Sequence, residues 1–320
     1  MMIDLKPKIS IIGCGNVGTR FAYVLAIKGL ARHIVMIDID KKRVEGEVMD
    51  ISHGAPYISP VQIDAGDYPD IQDSDIVVIT AGRNQRPDET RIDLTKDNIH
   101  LYEKIIPEIM DYSPSAKFLI VSNPVDILSY AAYKISGKPE NEVFGSGTVL
   151  DTARFRYLLG QKCNVNPRNV HAYILGEHGD SEFAVWSSAM IGGMLIKDYC
   201  QICNKRELCD NEKELSYIFE EVKSSAYKII ERKGETSYGI GLALAQITQA
   251  ILHDENTILP VSSLVRNYLG INNVYLGLPA IINKLGVSRV LKIALNSKEE
   301  DLFKKSAQKL RNVIEQVGLD

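Results

Sequence analysis

The glycine-rich segment near the N-terminus restricts the possible folds of this chain more than any other feature. Residues 8–12, Lys-Ile-Ser-Ile-Ile, form a short β-branched run that ends in the turn Gly-Cys-Gly-Asn-Val-Gly at 13–18, after which apolar residues recur at helical spacing. In such a unit the first glycine permits a sharp bend, the second admits a pyrophosphate, and the third lets helix and strand pack closely. The helix N-terminus also offers unpaired N–H groups to phosphates. Gly13, Gly15 and Gly18 therefore predict a dinucleotide-binding site.

An acidic residue at the end of the next predicted strand favours NAD over NADP as the cofactor. Asp38 follows the apolar run 33–37 and lies 20 residues after Gly18. Its carboxylate suits the hydroxyl groups of a ribose diol, whereas a 2′-phosphate would bring like charges into contact. Basic residues follow at 41–43; we interpret them as a solvated turn, although beside the cofactor they would weaken this preference.

Further apolar runs predict a parallel sheet that is covered on both faces. Residues 76–80 and 117–121 repeat the β-branched pattern of 33–37, with helical segments between them. Near-continuous apolar strands that alternate with helices are typical of buried parallel sheets. We therefore predict an α/β protein, in which a Rossmann-type doubly wound parallel sheet is followed by an α+β substrate domain with antiparallel strands.

The boundary between these two domains is placed where a helix that begins near Ser146 leaves the sheet without a linker. The NAD-binding domain then spans residues 1–145 and the catalytic domain residues 146–320. In the second domain the patterns predict a strand, a long helix, an antiparallel strand pair and a closing amphipathic helix, at 170–175, 212–233, 261–265 with 274–279, and 299–317.

The composition excludes several classes of protein. Of 320 residues, 45% are hydrophobic and 24% are charged, as in an ordinary globular protein rather than a disordered or collagenous one. Thirty-seven Lys and Arg against 41 Asp and Glu give a net charge of -4, which is the wrong sign for a general nucleic-acid binder. We recognise neither a secretory signal nor an apolar span of about 18 residues. We therefore expect a protein of the reducing cytoplasm with no membrane or nucleic-acid partner.

Three of the five cysteines, Cys200, Cys203 and Cys209, are close enough in sequence to suggest a metal site. However, no histidine lies nearby, and the four-ligand spacing of a structural zinc site is missing. We therefore interpret the cluster as incidental thiols on a surface loop and predict no bound metal.

One histidine, His178, stands in the glycine-flanked turn Gly-Glu-His-Gly-Asp, just after an apolar strand. A lone histidine is more often structural than catalytic, but Asp151, Arg154 and the loop residue Arg91 change this interpretation. Hydride transfer between a nicotinamide and a 2-hydroxy acid needs a proton donor, a group that polarises the carbonyl and an anchor for the carboxylate. Asp151 and Arg154 are three residues apart on a predicted helix and therefore share one face.

Each of these side chains suits one of those tasks. Asp151, bonded to one imidazole nitrogen, would fix the tautomer of His178 and stabilise the imidazolium, so that the histidine donates a proton in reduction and accepts one in oxidation. Arg154 offers a planar fork for two parallel hydrogen bonds to a carboxylate. Arg91 would polarise the reacting oxygen.

Five longer motifs occur in order over essentially the whole chain: GCGNVGTR, TAGRNQRPDETR, SNPVDI, GSGTVLDTARFR and GEHGDSE. Together they resemble the L-lactate dehydrogenases of bacteria, within the lactate and malate dehydrogenase superfamily. The resemblance implies NAD as cofactor, pyruvate and L-lactate as substrates, and the roles given above for His178, Asp151, Arg154 and Arg91.

The same resemblance implies further contacts. Substrate contacts are implied at Gln85, Asn123, Asp126 and Thr236. Cofactor contacts are implied at Gly13, Gly15, Val17, Gly18, Asp38, Arg43, Tyr68, Gly82, Arg83, Ser122, Asn123, Ser146 and Ile240. Of these, Ile240 would pack on the nicotinamide ring.

The choice of hydroxy acid is implied by one residue of the loop at 82–93, which in this family closes over the substrate. The family separates lactate from malate six positions before the polarising arginine, and this position is Gln85. A neutral Gln suits the methyl group of pyruvate, because the second carboxylate of oxaloacetate would be buried without a partner. Arg86 would become the determinant if the loop slipped by one residue, and Asp88 stands where many relatives have Gly.

A regulatory site is implied at Arg156 and His171. In bacterial lactate dehydrogenases that fructose 1,6-bisphosphate activates, an Arg and a His at these motif positions bind the effector across a subunit interface. Arg156 lies two residues beyond Arg154, roughly 200° around a helix, and so points away from the substrate. The resemblance implies such activation and a homotetramer; the alternative is an exposed Arg and a polar His at the end of a strand.

Other functions stay open on the residues alone. Among enzymes, malate dehydrogenase is the nearest alternative and a branched 2-hydroxyacid dehydrogenase is the next. An NAD-requiring glycosidase has a related glycine-turn domain, but it needs a metal-binding Cys and His pair, and His178 has no neighbouring Cys. A third alternative is a protein that serves as bulk material or as a binding partner and not as an enzyme, as dehydrogenases do in some eye lenses. Such a protein is not expected to keep the complete catalytic set.

Overall fold

The computed structural model describes residues 7–83, 89–202 and 212–319. The strands in these ranges are β1 (Lys8–Ile12), β2 (His33–Ile37), β3 (Gln62–Ala65), β4 (Ile76–Ile79), β5 (Lys117–Ile120), β6 (Val143–Gly145), β7 (Val170–His171), β8 (Ile174–Leu175), β9 (Phe183–Ala184), β10 (Met190–Ile191), β11 (Met194–Leu195), β12 (Thr257–Leu264), β13 (Tyr275–Asn283) and β14 (Gly286–Val290). The helices are α1 (Asn16–Lys28), α2 (Lys41–His53), α3 (Arg91–Tyr112), α4 (Val125–Ser136), α5 (Val149–Cys163), α6 (Ile196–Ile202), α7 (Glu212–Lys233), α8 (Tyr238–Leu252) and α9 (Ser297–Val317).

The central sheet has the strand order β14-β13-β12-β6-β5-β4-β1-β2-β3. The strands from β3 to β6 pair in parallel, and β12, β13 and β14 continue the sheet beside β6 as antiparallel strands. The chain winds outward from β1 to β3 and then crosses to β4 on the other side of β1, so the winding reverses between β1 and β4. Ligands of doubly wound sheets bind at the carboxyl ends of the strands at such a reversal. The predicted fold class is confirmed.

Helices cover both faces of the sheet. On one face α1 and α8 pack through Phe21, Leu25 and Leu244, and on the other α3 and α9 pack through Tyr102 and Leu310. All five side chains are at most 2% exposed. Burial of such a side chain contributes about 1.5–3 kcal/mol, so the sheet, and with it the turn between β1 and α1, is held firmly from both sides.

A smaller core lies beyond β6, where α5 packs against α7 and the short strands. Phe155 of α5 meets Trp186 edge to face at 4.8 Å between ring centroids, and Ile218 of α7 is buried in the same cluster. This packing fixes the orientation of α5, and its polar side chains at 151 and 154 then lie beside the turn between β8 and β9.

The predicted elements of the first half are confirmed, as are the long helix 212–233 and the antiparallel pair β12–β13. The predicted strand at 170–175 is instead two short strands, β7 and β8, that belong to different sheets. The domain division at 145/146 stays a prediction. Gly145 does end β6, but Ser262 of β12 pairs with it, so a single sheet continues across the proposed boundary.

The interpretation of Cys200 as an incidental surface thiol is wrong. Its side chain is fully buried in the core between α6 and α7, and it is disulfide-bonded. Cys203 and Cys209 lie outside the described residues. Within the part of the chain that the structure describes, no helix combines the length and apolar character needed to cross a bilayer.

Candidate active site

The turn between β1 and α1 has the geometry of a phosphate cradle. Gly13 has a φ of +97°, and a Cβ there would lie 2.4 Å from the backbone nitrogen of Ala81. A Cβ on Gly18 would lie 2.2 Å from the carbonyl oxygen of Gly13, so these two positions require glycine for backbone packing. A Cβ on Gly15 would meet nothing within 4 Å. The middle glycine therefore faces open space, as expected where a pyrophosphate approaches the helix N-terminus.

Asp38 follows β2 directly and reaches back to this turn. Its Oδ2 accepts a hydrogen bond from the backbone N–H of Cys14 at 2.6 Å, and its Oδ1 accepts one from Asp40 at 3.1 Å. A carboxylate has about four acceptor positions, so Asp38 retains capacity for the hydroxyl groups of a ribose. Together with the open space at Gly15, this donor and acceptor set fits NAD.

Several other predicted cofactor residues line the same edge of the sheet. The Ser122 hydroxyl, after β5, donates to the carbonyl of Ala81 at 2.5 Å, and Ser146, after β6, donates its N–H to Ile120 at 2.8 Å. Gly82 lies beside Ser122, since its Cβ would be 3.1 Å from that of the serine. These residues mark the carboxyl ends of β4, β5 and β6.

The remaining predicted cofactor residues lie farther around this edge. Val17 of α1 and Ile240 of α8 are half-buried against the same hydrophobic core, and Tyr68 is half-buried after β3. Arg43 of α2 donates to the Asn16 side chain at 3.3 Å, close to the start of α1. The last of the set, Arg83, forms ion pairs with Glu89 and Asp97.

His178, Asp151 and Arg154 are in direct contact. Nδ1 of His178 lies 2.6 Å from Oδ2 of Asp151, while Nη1 of Arg154 donates to Oδ1 of Asp151 at 2.7 Å. The Asp151 side chain is only 4% exposed. Because α5 carries Asp151 and Arg154 three residues apart, one carboxylate orients both the imidazole and the guanidinium. Among the described residues, the histidine makes its side-chain hydrogen bond through Nδ1 and none through Nε2.

The charges of this group determine the proton state of the histidine. Burial disfavours the imidazolium, but the charge of Asp151 and the hydrogen bond to it outweigh this effect and raise the pKa of His178 to about 9. Burial likewise opposes ionisation of Asp151, yet His178 and Arg154 hold its pKa below the ordinary value. At neutral pH the pair therefore consists of an imidazolium and a carboxylate, which makes the histidine a proton donor.

Asp126 fixes the backbone of the histidine turn. It is 2% exposed, and its carboxylate accepts hydrogen bonds from the His178 N–H at 2.8 Å and from the Ser262 hydroxyl at 2.5 Å. Burial raises the pKa of Asp126 to about 6, although both hydrogen bonds oppose that rise. Asp126 was predicted as a substrate contact; its hydrogen bonds here are to the turn and to β12. Ser262 was not identified from the sequence, because a serine within an apolar strand carries no distinguishing signal.

A third acid, Glu182, belongs to this cluster and was not predicted. It is 7% exposed, and one of its oxygens lies with Asp151 Oδ and a ring nitrogen of His178 in a group whose members are all within 4.8 Å of one another. Burial and the nearby charge of Asp151 raise the pKa of Glu182 to about 8. The neutral form of this side chain is therefore favoured relative to that of a solvated glutamate. In the sequence it looks like any solvated acid four residues after a histidine.

Arg91 lies beside the histidine turn rather than against the imidazole. It is the first residue of α3, and its guanidinium pairs with Asp180 at 2.6 Å and with the Tyr227 hydroxyl at 3.4 Å. The Arg91 side chain is 57% exposed. Arg91, the predicted polarising residue, thus lies near His178, but its guanidinium is paired with Asp180 of the same turn.

The other predicted substrate and effector residues are placed as follows. Asn123, after β5, is exposed, and Thr236 lies half-buried between α7 and α8, while Gln85 lies outside the described residues. Arg156 turns away from Arg154: its Nε donates to the Ala172 carbonyl at 3.0 Å and its guanidinium stacks on the Tyr173 ring at 5.2 Å. His171, next to Ala172, is exposed at the edge of β7.

Comparison with known proteins gives a consistent result over the whole chain. Residues 7–145 match the lactate/malate dehydrogenase NAD binding domain, and residues 148–318 match the lactate/malate dehydrogenase alpha/beta C-terminal domain. An L-lactate dehydrogenase of Thermoanaerobacter sp. (strain X514) is 49% identical over 98% of this chain and 99% of the relative. One from Clostridium botulinum (strain Loch Maree / Type A3) is 50% identical over 96% of each chain.

Solved structures agree with these sequence relatives. A minor L-lactate dehydrogenase from Enterococcus mundtii, in a ligand-bound form, superimposes with a TM-score of 0.95 at 39% identity, over 99% of this chain and 100% of that one. A lactate dehydrogenase from a Medee basin deep-sea metagenome library gives a TM-score of 0.94 at 44% identity, over 98% and 99% of the two chains.

Proposed function

The chain belongs to the family of lactate and malate dehydrogenases, and from this premise we propose how its residues carry out the NAD-dependent interconversion of pyruvate and L-lactate. The observation that carries the proposal is the contact of one buried carboxylate, Asp151, with both His178 and Arg154. A proton donor and a carboxylate anchor are thereby oriented by the same group.

His178 supplies the proton for reduction. Its Nδ1 is held by Asp151, so Nε2 donates to the carbonyl oxygen of pyruvate as that oxygen gains charge. In the oxidation of lactate the neutral imidazole accepts the hydroxyl proton, and Asp151 stabilises the imidazolium that forms. Asp126 keeps the backbone of the turn in place through the His178 N–H.

Two arginines handle the negative charges of the substrate. One N–H of Arg154 donates to Asp151, and the other N–H groups of its guanidinium anchor the substrate carboxylate. Arg91 polarises the reacting carbonyl and stabilises the developing alkoxide, for which its guanidinium must leave Asp180. Asn123 and Thr236 complete the substrate pocket.

The dinucleotide, when bound, supplies the hydride. Gly13, Gly15 and Gly18 admit its pyrophosphate, and Asp38 accepts hydrogen bonds from its ribose hydroxyls. Ile240 would pack on the nicotinamide ring, and further contacts would come from residues at or near the carboxyl edge of the sheet: Val17, Arg43, Tyr68, Gly82, Arg83, Ser122, Asn123 and Ser146.

Gln85 makes pyruvate the preferred 2-oxo acid, because it leaves a second substrate carboxylate without a partner. The test is a comparison of kcat/KM for pyruvate and oxaloacetate at saturating NADH. We expect kcat/KM for pyruvate to exceed that for oxaloacetate by at least about a hundredfold, because a buried carboxylate without a partner strongly disfavours the second substrate. A ratio near one or below would instead assign the enzyme to malate. A His178→Asn control that kept full activity would refute the assigned chemistry itself.

The enzyme regenerates NAD+ for fermentative glycolysis in the cytoplasm as a homotetramer. Support for assembly comes from large apolar side chains on adjacent helices that are more than half exposed in the single chain, namely Tyr23 and Ile27 of α1 and Tyr238 and Leu242 of α8. Light scattering coupled to size exclusion tests it, since a monomer at micromolar concentration contradicts the proposed assembly.

Fructose 1,6-bisphosphate activates this enzyme at the β7 edge. The proposal is supported by Arg156 and His171, because the Arg156 guanidinium donates to Ala172, the immediate neighbour of His171. The two residues therefore lie close together, and Arg156 points away from Arg154. Pyruvate saturation curves measured with and without the bisphosphate between pH 6 and 8 test this, and superimposable curves would exclude activation.

A further inference from the structure

The C-terminal helix α9 holds the turn that carries His178. The Ser306 hydroxyl accepts a hydrogen bond from the Glu177 N–H at 2.7 Å and lies 3.0 Å from the hydroxyl of Ser181. One helical turn further, Lys309 Nζ donates to Glu177 Oε2 at 2.7 Å. Residues on either side of the histidine are thus fastened to one face of a helix that begins more than a hundred residues later in the chain.

Asp180 in this turn is shared by two cations. Its Oδ2 lies 2.6 Å from Nη1 of Arg91 and 3.9 Å from Nζ of Lys309. The guanidinium makes the close contact, while the ammonium is at the limit of an ion pair and is anchored on Glu177. A small rotation of the flexible lysine side chain would bring its Nζ to Asp180 without any movement of the backbone.

We propose that Lys309 is a positioning residue for catalysis. Its ammonium pairs with the Asp180 carboxylate, and so balances that negative charge, when Arg91 moves from Asp180 to the substrate oxygen. The inference rests on the proposed role of Arg91. Without Lys309, departure of the guanidinium would leave Glu177 and Asp180 as two acids beside His178 with no cation of α9 to balance them. Lys309 therefore favours the arrangement in which Arg91 is free for the substrate.

The size of the effect is limited by solvent. The side chains of Arg91 and Asp180 are 57% and 53% exposed, and that of Lys309 is 38% exposed. Exposed ion pairs are weak and are screened by salt. We therefore expect loss of the lysine charge to lower kcat/KM for pyruvate by about two- to fivefold at low ionic strength, and less at high salt.

The experiment compares Lys309→Gln with Lys305→Gln, which removes the same charge from the same helix at an exposed lysine with no ion pair among the described residues. Each is measured in the natural background and in an Asp180→Asn background, where Arg91 has lost its ion pair with Asp180. We expect Lys309→Gln to lower kcat/KM for pyruvate in the natural background only. Lys305→Gln should leave kcat/KM unchanged, and Lys309→Arg should keep the natural value.

Three results would overturn the inference. One is equal activity of the two glutamine variants in the natural background. Another is a Lys309→Gln loss of the same size in the Asp180→Asn background, which would indicate a purely structural role through Glu177. The third is a loss that persists unchanged in high salt. An Arg91→Gln variant separates this inference from the function it rests on: if that variant keeps full activity, the role of Arg91 itself is wrong.

Discussion

Asp151→Asn should shift the pH range in which the enzyme reduces pyruvate. In the natural protein, Asp151 raises the pKa of His178 from its ordinary value of 6.5 to about 9, although burial of the imidazole opposes this. The amide carries no charge, so burial is then opposed only by the smaller charge effects of Glu182 and Asp126, and the pKa should fall back towards 6.5. Reduction requires the imidazolium. The natural enzyme should therefore keep its reductase activity until the pH approaches 9. The variant should lose that activity at a pH about two units lower.

The magnitude follows from the protonated fraction of His178 alone. With pKa values of about 9 and 6.5, the two forms differ by only about 1.3-fold in imidazolium at pH 6, but by about thirtyfold at pH 8. Asp151 also orients Arg154, so a further loss that does not depend on pH is expected in binding of the substrate carboxylate. The diagnostic quantity is therefore the change of the activity ratio with pH, not its absolute size.

The assay is kcat/KM for pyruvate at saturating NADH, recorded by NADH absorbance from pH 5.5 to 9.5 for the natural enzyme, Asp151→Asn and Asp151→Glu. The glutamate control keeps the charge and should keep the high-pH limb, even if its longer side chain lowers activity throughout. An Asp151→Asn profile parallel to the natural one would refute the assignment of the raised pKa to this pair. Lactate oxidation should respond oppositely, because it needs the neutral imidazole.

Other expectations concern the second buried acid and the glycine turn. Glu182→Gln should move the high-pH limb of pyruvate reduction to lower pH, but by less than Asp151→Asn does, because ionised Glu182 raises the pKa of His178 by less than Asp151 does; an unmoved limb in the same assay would contradict this. Gly18→Ala should destabilise the fold by about 1–3 kcal/mol in urea denaturation, since its Cβ would lie 2.2 Å from the carbonyl oxygen of Gly13. Gly15→Ala, whose Cβ meets no protein atom within 4 Å, should leave the unfolding midpoint unchanged and weaken NADH binding by at least about tenfold in a fluorescence titration, and retained affinity would place the pyrophosphate elsewhere.

The parts of the fold that could be predicted from the sequence are those where a local pattern determines the structure. The run at residues 8–12 and the turn after it form β1 and its cradle as expected, because glycine spacing and apolar continuity are both short-range signals. β3 and β6 were not identified, since strands of four and three residues are too short to show a period. The helix α8 was missed because it is buried along most of its length and so lacks a clear polar face.

The site was predictable to the extent that chemistry is visible in residue type. The contact between Asp151 and His178 was expected from their joint suitability for proton transfer, and the structure places them together. Glu182, Ser262 and Lys309 were not identified, because their importance depends on burial or on partners that are distant in sequence. In the sequence a buried acid such as Glu182 looks the same as an exposed one, and only the structure shows which of them is buried.

The single sheet shared by both halves has a consequence for synthesis of the chain. β6 ends at Gly145, whereas its neighbour β12 begins only at Thr257. As the chain leaves the ribosome, the nucleotide-binding half can complete its parallel strands while the backbone groups on the far side of β6 still have no strand beside them. An open edge of this kind is a template for pairing with other chains. Nascent chains that stall before residue 257 should therefore be the aggregation-prone species in a cell that overproduces this protein.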